Sequence, residues 1–208
     1  MVMDTNWAAE NLQVIRTLME RSTLYRRALA PVMLVSGVIG LVASVVPCFV
    51  AIDTNRSFAL FWLAVSVITL VSGLLLVRRQ ALKEKEPFWS VPTRRVTQAL
   101  LPAFFVGLLA GFFNILNENT WHANLLAQLW VIVYGCALHA AGFFMPRGIR
   151  LFGWMFVLGG CAVTFATQSQ SALRTTEAAH YVMGAFFGLL QLAYGIYLYF
   201  SEKRKPSA

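Results

Sequence analysis

Acidic residues are scarce in this sequence: nine Asp and Glu stand against 17 Lys and Arg, and charged residues make up only 12% of 208. A soluble chain of this size is about one quarter charged, so a water-exposed globular surface cannot be covered from this composition. Cysteine is also sparse. Cys48, Cys136 and Cys161 all fall in apolar runs with no C-x-x-C pair, which excludes a disulfide framework and a structural zinc site. They are expected to pack as small hydrophobes. No apolar run contains an Asp, Glu, Lys or Arg well inside its ends, which argues against an acidic proton relay.

What is abundant is apolar sequence, 58% of residues, with a mean hydropathy of +0.64. Runs near 20 residues occupy 29–52, 58–77, 98–116, 125–145, 151–167 and 179–200, each long enough to cross a hydrocarbon core. The expected fold is therefore all-α and polytopic, with six transmembrane helices over 29–200, a segment at 1–28 before them and a basic tail at 201–208. No loop is long enough to hold another domain.

The cations are distributed unevenly. Arg16, Arg21, Arg26 and Arg27 precede the first span; Arg78, Arg79, Lys83, Lys85, Arg94 and Arg95 follow the second; Arg147 and Arg150 follow the fourth. Lys203, Arg204 and Lys205 end the chain, leaving only Arg56 and Arg174 for the opposite side. By the positive-inside rule both termini are expected in the cytoplasm of a bacterial inner membrane. The first run is long and lacks a small-residue cleavage motif, so it is expected to remain as a span.

Residues 1–28 read as an amphipathic helix with Asn6 as N-cap. Trp7, Leu12, Ile15, Leu18 and Met19 gather on one arc, with Glu10, Arg16, Glu20 and Arg21 opposite. Such a helix suits the leaflet surface. The 78–97 connection, with basic pairs at both ends and Pro87, Trp89 and Pro92 between, is expected to grip anionic headgroups. Anionic lipid, a membrane protein partner or a second copy of the chain are the expected partners. Nucleic acid is not, and no cofactor is implied.

Within the spans the one ionisable residue well inside is His139, and it belongs to a row. Gln128, Gly135, His139 and Gly142 share a helical face. The sixth span carries a matching row, His180, Gly184, Gly188, Gln191 and Gly195, and the third has Ala103, Gly107 and Gly111. Small residues at such spacing let helices approach closely. From equal depth a His139 to Tyr194 hydrogen bond is expected, and Gln128, His139, Gln191 and Tyr194 form a candidate intramembrane polar site. A transporter or channel with these four lining its passage is the alternative to a structural, regulatory or lipid-interacting role.

A second candidate cluster lies on the outer side: Asp53, Glu118, His122, Glu177 and His180. Glu177-x-x-His180 and Glu118-x-x-x-His122 have spacings that bring both side chains to one helical face. Against a ligand site, Asn117, Asn119 and Asn124 read as a solvated turn. No metal site and no catalytic residue is assigned, because no nucleophile, base and charge-stabilising group converge in the sequence; an enzyme is not expected. Pro31 suits a first helical turn, Pro146 ends the fourth span, and Pro47 and Pro102 are expected kinks.

Three stretches carry a resemblance: Asn6-Trp7-Ala8-Ala9 within 4–11, Thr97-Gln98-Ala99-Leu100-Leu101-Pro102 within 94–102, and Leu138-His139-Ala140-Ala141-Gly142-Phe143-Phe144-Met145-Pro146-Arg147-Gly148 within 134–148. Together they resemble an uncharacterised family of bacterial multi-pass membrane proteins of about this length. The resemblance implies a membrane fold and brings no activity with it.

Overall fold

Apolar runs that must satisfy their own backbone groups in lipid can do so as helices, and every regular element described is helical. The structure is a computed structural model and describes residues 29–83, 91–117, 121–145, 147–170 and 174–203. The amphipathic segment at 1–28, the middle of the 78–97 connection, Pro146 and the last residues of the tail lie outside the described residues.

Among the described residues six helices are long and apolar enough to cross a membrane. α1 spans Leu29–Cys48, α2 Asn55–Lys83, α3 Val91–Leu116, α4 Ala123–Ala141 and α5 Arg147–Ser169. α6 begins as Thr176–Met183, passes through a π-helical stretch, Gly184–Leu190, and continues as Gln191–Lys203. α2, α3 and α5 extend beyond the apolar runs read from the sequence into the flanking polar residues. α4 instead ends at Ala141, so His139 stands in its last turn.

α4 is the axial helix. It packs against α3, α5, α6 and α2, and 56% of its apolar window is buried against 6% for α2. α2 therefore turns Val67, Ile68, Val71, Leu74 and Leu75 outward, as a lipid-facing helix does. All three cysteines are exposed as well, contrary to the expected packing. Hydrocarbon is as apolar as the core, so a thiol gains little by turning inward.

Glycine sets two helix pairings. A Cβ on Gly135 of α4 would lie 2.8 Å from the Gly153 carbonyl oxygen of α5, and one on Gly153 would lie 2.7 Å from the His139 amide nitrogen. α1 and α6 are joined the same way: a Cβ on Gly188 would meet the Leu41 amide at 2.9 Å, and one on Gly195 the Leu34 amide at 2.8 Å. The two rows read from the sequence thus do not pair with each other. The α4 row meets α5 and the glycines of the α6 row meet α1. Gly107 and Gly111 on α3 accommodate the Trp130 ring of α4, whose Nε1 donates to the Gly107 carbonyl at 2.8 Å.

The proline expectations divide. Pro47 does not kink a continuing helix; it opens the closing 3-10 turn Val46–Cys48 of α1, where its missing N–H costs nothing. Pro102 lies inside α3, which continues through it. The buried side chains form two cores, one near the α1–α2 turn around Phe58, Trp62, Leu126 and Met183, the other around Val131, Ile149, Phe152 and Phe156.

Candidate functional site: a sealed histidine and an open one

The end of the bundle holding the α1–α2, α3–α4 and α5–α6 turns is tied by side chains that bond backbone groups of other turns. Asn55 Oδ1 accepts from the Ala123 amide at 2.9 Å, Asn124 Nδ2 donates to the Thr175 carbonyl at 2.6 Å, and Thr176 Oγ1 donates to the Asp53 carbonyl at 3.1 Å. Asn114 Nδ2 reaches the Trp121 carbonyl at 3.0 Å. Arg174 closes α5, donating to the carbonyls of Thr167 and Gln168.

His180 sits beneath these turns at 2% exposure. Trp62 Nε1 donates to its Nδ1 at 3.0 Å, and its Nε2 lies 3.3 Å from the Ile52 carbonyl oxygen. An indole N–H can only donate, so Nδ1 is the acceptor and the ring proton is on Nε2, pointing at the carbonyl. Phe58 packs its ring edge on the imidazole, centroids 4.9 Å apart. Every hydrogen-bonding position of this neutral ring is filled.

The structure describes four of the five residues of the outer cluster read from the sequence. Glu177 is exposed and accepts from Tyr181 Oη at 3.0 Å rather than turning to His180. Asp53 and His122 are exposed, and Glu118 lies outside the described residues. Among the described residues no group of three or more His, Cys, Asp or Glu could hold a metal ion. Asn124, taken for part of a solvated turn, is buried in the first turn of α4.

The intramembrane set is likewise divided. Gln128 is buried, and its Nε2 donates to Thr167 Oγ1 of α5 at 2.9 Å. Gln191 Nε2 donates to Tyr134 Oη at 2.9 Å, leaving its Oε1 buried without a partner. Tyr194 stacks on Phe152, centroids 4.1 Å apart. The expected His139 to Tyr194 bond is not formed. The close fit of Gly153 against the His139 backbone holds that residue on the α5 side, away from α6.

His139 lines a groove of about 450 Å³ between α3, α4 and α5, with Ala99, Cys136, Ala140, Phe143, Trp154 and Val157 among its walls. The ring meets the edges of Phe143 and Trp154, both at 5.5 Å between centroids. Its Nδ1 is buried and has no hydrogen-bond partner. His139 is level with Gly153, six residues into α5, which keeps it roughly 9 Å from the start of that helix at 1.5 Å per residue.

Two arginines stand one helical turn from groove residues, toward the same end of the bundle. Arg95 precedes Ala99 by four residues on α3, and Arg150 precedes Trp154 by four on α5. The Arg150 guanidinium lies 5.2 Å from the Phe143 ring centroid, a cation over an aromatic wall. The sequence placed His139 at membrane depth but gave no sign of Arg150 or Trp154, whose relevance comes only from the α4–α5 packing. Trp62 was missed for the same reason: it is 118 residues from His180.

Compared with known proteins, this chain matches no family model, no curated protein and no solved structure.

Proposed function

We propose that this chain is a structural or regulatory protein of a bacterial inner membrane, both termini in the cytoplasm, working through anionic lipid at the cytoplasmic face. One observation carries the reading: exposed cations gather at one end of the bundle. Arg78, Arg79 and Lys83 at the end of α2 and Arg94 and Arg95 at the start of α3 are all exposed. At the other end the described cations are two, Arg56 and Arg174, both exposed, and Arg174 is committed to the carbonyls that close α5. Each well-placed cation near an anionic surface is worth about 1 kcal/mol, so five at one end give a strong preference for anionic headgroups.

The polar groups in the core support a structural role over a passage, because Gln128 and Gln191 each bond a neighbouring helix and hold the bundle together. The test is thermal unfolding of the purified protein in nanodiscs of phosphatidylcholine with and without phosphatidylglycerol. Phosphatidylglycerol is expected to raise the midpoint, and Arg78→Gln/Arg79→Gln/Arg94→Gln/Arg95→Gln to abolish the increment. An equal midpoint in both lipids would overturn the reading. A carboxy-terminal reporter fluorescent only in the cytoplasm checks the orientation, and a dark fusion would reverse it.

A further inference from the structure

The groove beside His139 is a different kind of feature from a basic surface, because it is an open groove lined by three helices and has a polar group in an otherwise apolar wall. An imidazole in contact with hydrocarbon and lacking partners pays the desolvation cost of a polar group without recovering a hydrogen bond. At the opposite end His180 avoids that cost through Trp62 and Ile52. His139, its backbone fitted closely against Gly153, has no such partner at either ring nitrogen among the described residues; Nδ1 is buried, so Nε2 is the ring nitrogen that an occupant of the groove can meet.

The groove also has a charge at one end. Arg150 lies against Phe143, one of the groove walls, and has no carboxylate partner among the described residues. Arg95 stands a turn beyond Ala99 and is exposed. The order along the membrane normal is thus cations first, then an imidazole, then the apolar surface of Cys136, Trp154 and Val157. An anionic glycerophospholipid has the same order: phosphate, ester carbonyls, acyl chain. A free fatty acid has the anion and the chain but not the separate polar layer between them.

We infer that this groove is a binding site for a single anionic glycerophospholipid, its phosphate met by Arg150 and Arg95, its ester region by His139 and one acyl chain by the walls of α4 and α5. The inference rests on the anionic-lipid reading above and narrows it from a surface preference to one molecule in one place. The charge-assisted phosphate contact supplies most of the affinity and His139 sharpens the fit.

Native mass spectrometry of the full protein in mild detergent tests it, with dioleoyl phosphatidylglycerol, dioleoyl phosphatidylcholine and oleate added separately. One phosphatidylglycerol is expected to be retained per chain at energies that strip phosphatidylcholine, with at least tenfold higher occupancy. Oleate should be retained at least tenfold less; equal retention would overturn the assignment to a glycerophospholipid. Arg150→Gln should lower single-lipid occupancy about tenfold and His139→Ala about threefold. Ala140→Trp, which fills the groove from within, should abolish it while the unfolding midpoint stays near that of the parent. Undiminished one-to-one adducts in all three variants would refute this site while the surface reading stands. Indifference to phosphatidylglycerol in both the mass spectrum and the nanodisc unfolding would overturn both.

Discussion

At one end of the bundle His180 has the Trp62 indole on one ring nitrogen and the Ile52 carbonyl at the other; at the opposite end His139 has a buried Nδ1 with no partner and a ring set in the wall of a groove. The residue type is the same and both are in apolar surroundings, so the difference lies in what each helix packs against. α6 brings His180 under a set of turns rich in Asn and Thr, which cross-bond the backbone. α4 brings His139 against Gly153, Phe143 and Trp154, which offer apolar surface. The two histidines therefore teach that depth in the membrane does not define a role. A histidine whose bonds are filled by the protein is part of the scaffold, and one left open is where a ligand can be read.

The sharpest way to break this comparison is to remove each ring in turn. His180→Ala leaves the Trp62 N–H and the Ile52 carbonyl unpaired around a cavity, and should cost about 2–4 kcal/mol of stability. His139→Ala removes no protein hydrogen bond and should cost less than about 1 kcal/mol. Unfolding of both variants in mixed detergent micelles decides it, and equal losses would erase the distinction. A smaller effect is expected at the contact that keeps His139 on α5: Gly153→Leu forces a side chain against the His139 backbone and should destabilise by about 1–3 kcal/mol. It should also disturb lipid retention at the groove, whereas Gly188→Leu, on the α1–α6 contact, should match it in stability and leave retention intact. The smallest effect is at the interhelical pairs in the middle. Gln128→Leu should cost about 0.6 kcal/mol, the usual size of a hydrogen bond between membrane helices, and a loss several times larger would mean that the middle of the bundle, not the His180 end, carries the polar stabilisation.

Much of the fold was legible in the sequence because its strongest signal, long apolar runs bounded by charge, is local. Six spans follow from it, and six helices of that kind are present among the described residues. The glycine rows at 135–142 and 184–195 were legible as close-approach faces too. Which row meets which was not, since a small residue marks a face without naming its partner, and the observed pairings are α4 with α5 and α1 with α6. The candidate sites fared according to the same rule. Spacing brought Glu177 and His180 toward one face, but the 60° between them on the wheel is enough for Glu177 to stay at the surface with Tyr181 while His180 is sealed inside. His139 was visible as a polar residue in an apolar run. The groove around it depends on three helices, and its walls contain residues from 99 to 157 that no short window joins.

The π-helical stretch of α6 has a consequence for how this protein can vary. A segment of that kind acts as one extra residue threaded into an α-helix, so the two halves of α6 are out of phase by about 100° relative to an unbroken wheel. The half before the stretch is indexed to Trp62 through His180 and the half after it to Tyr134 through Gln191, and no single phase serves both. Losing one residue anywhere between 184 and 190 would restore a regular helix and make the chain choose which of its two registrations to keep.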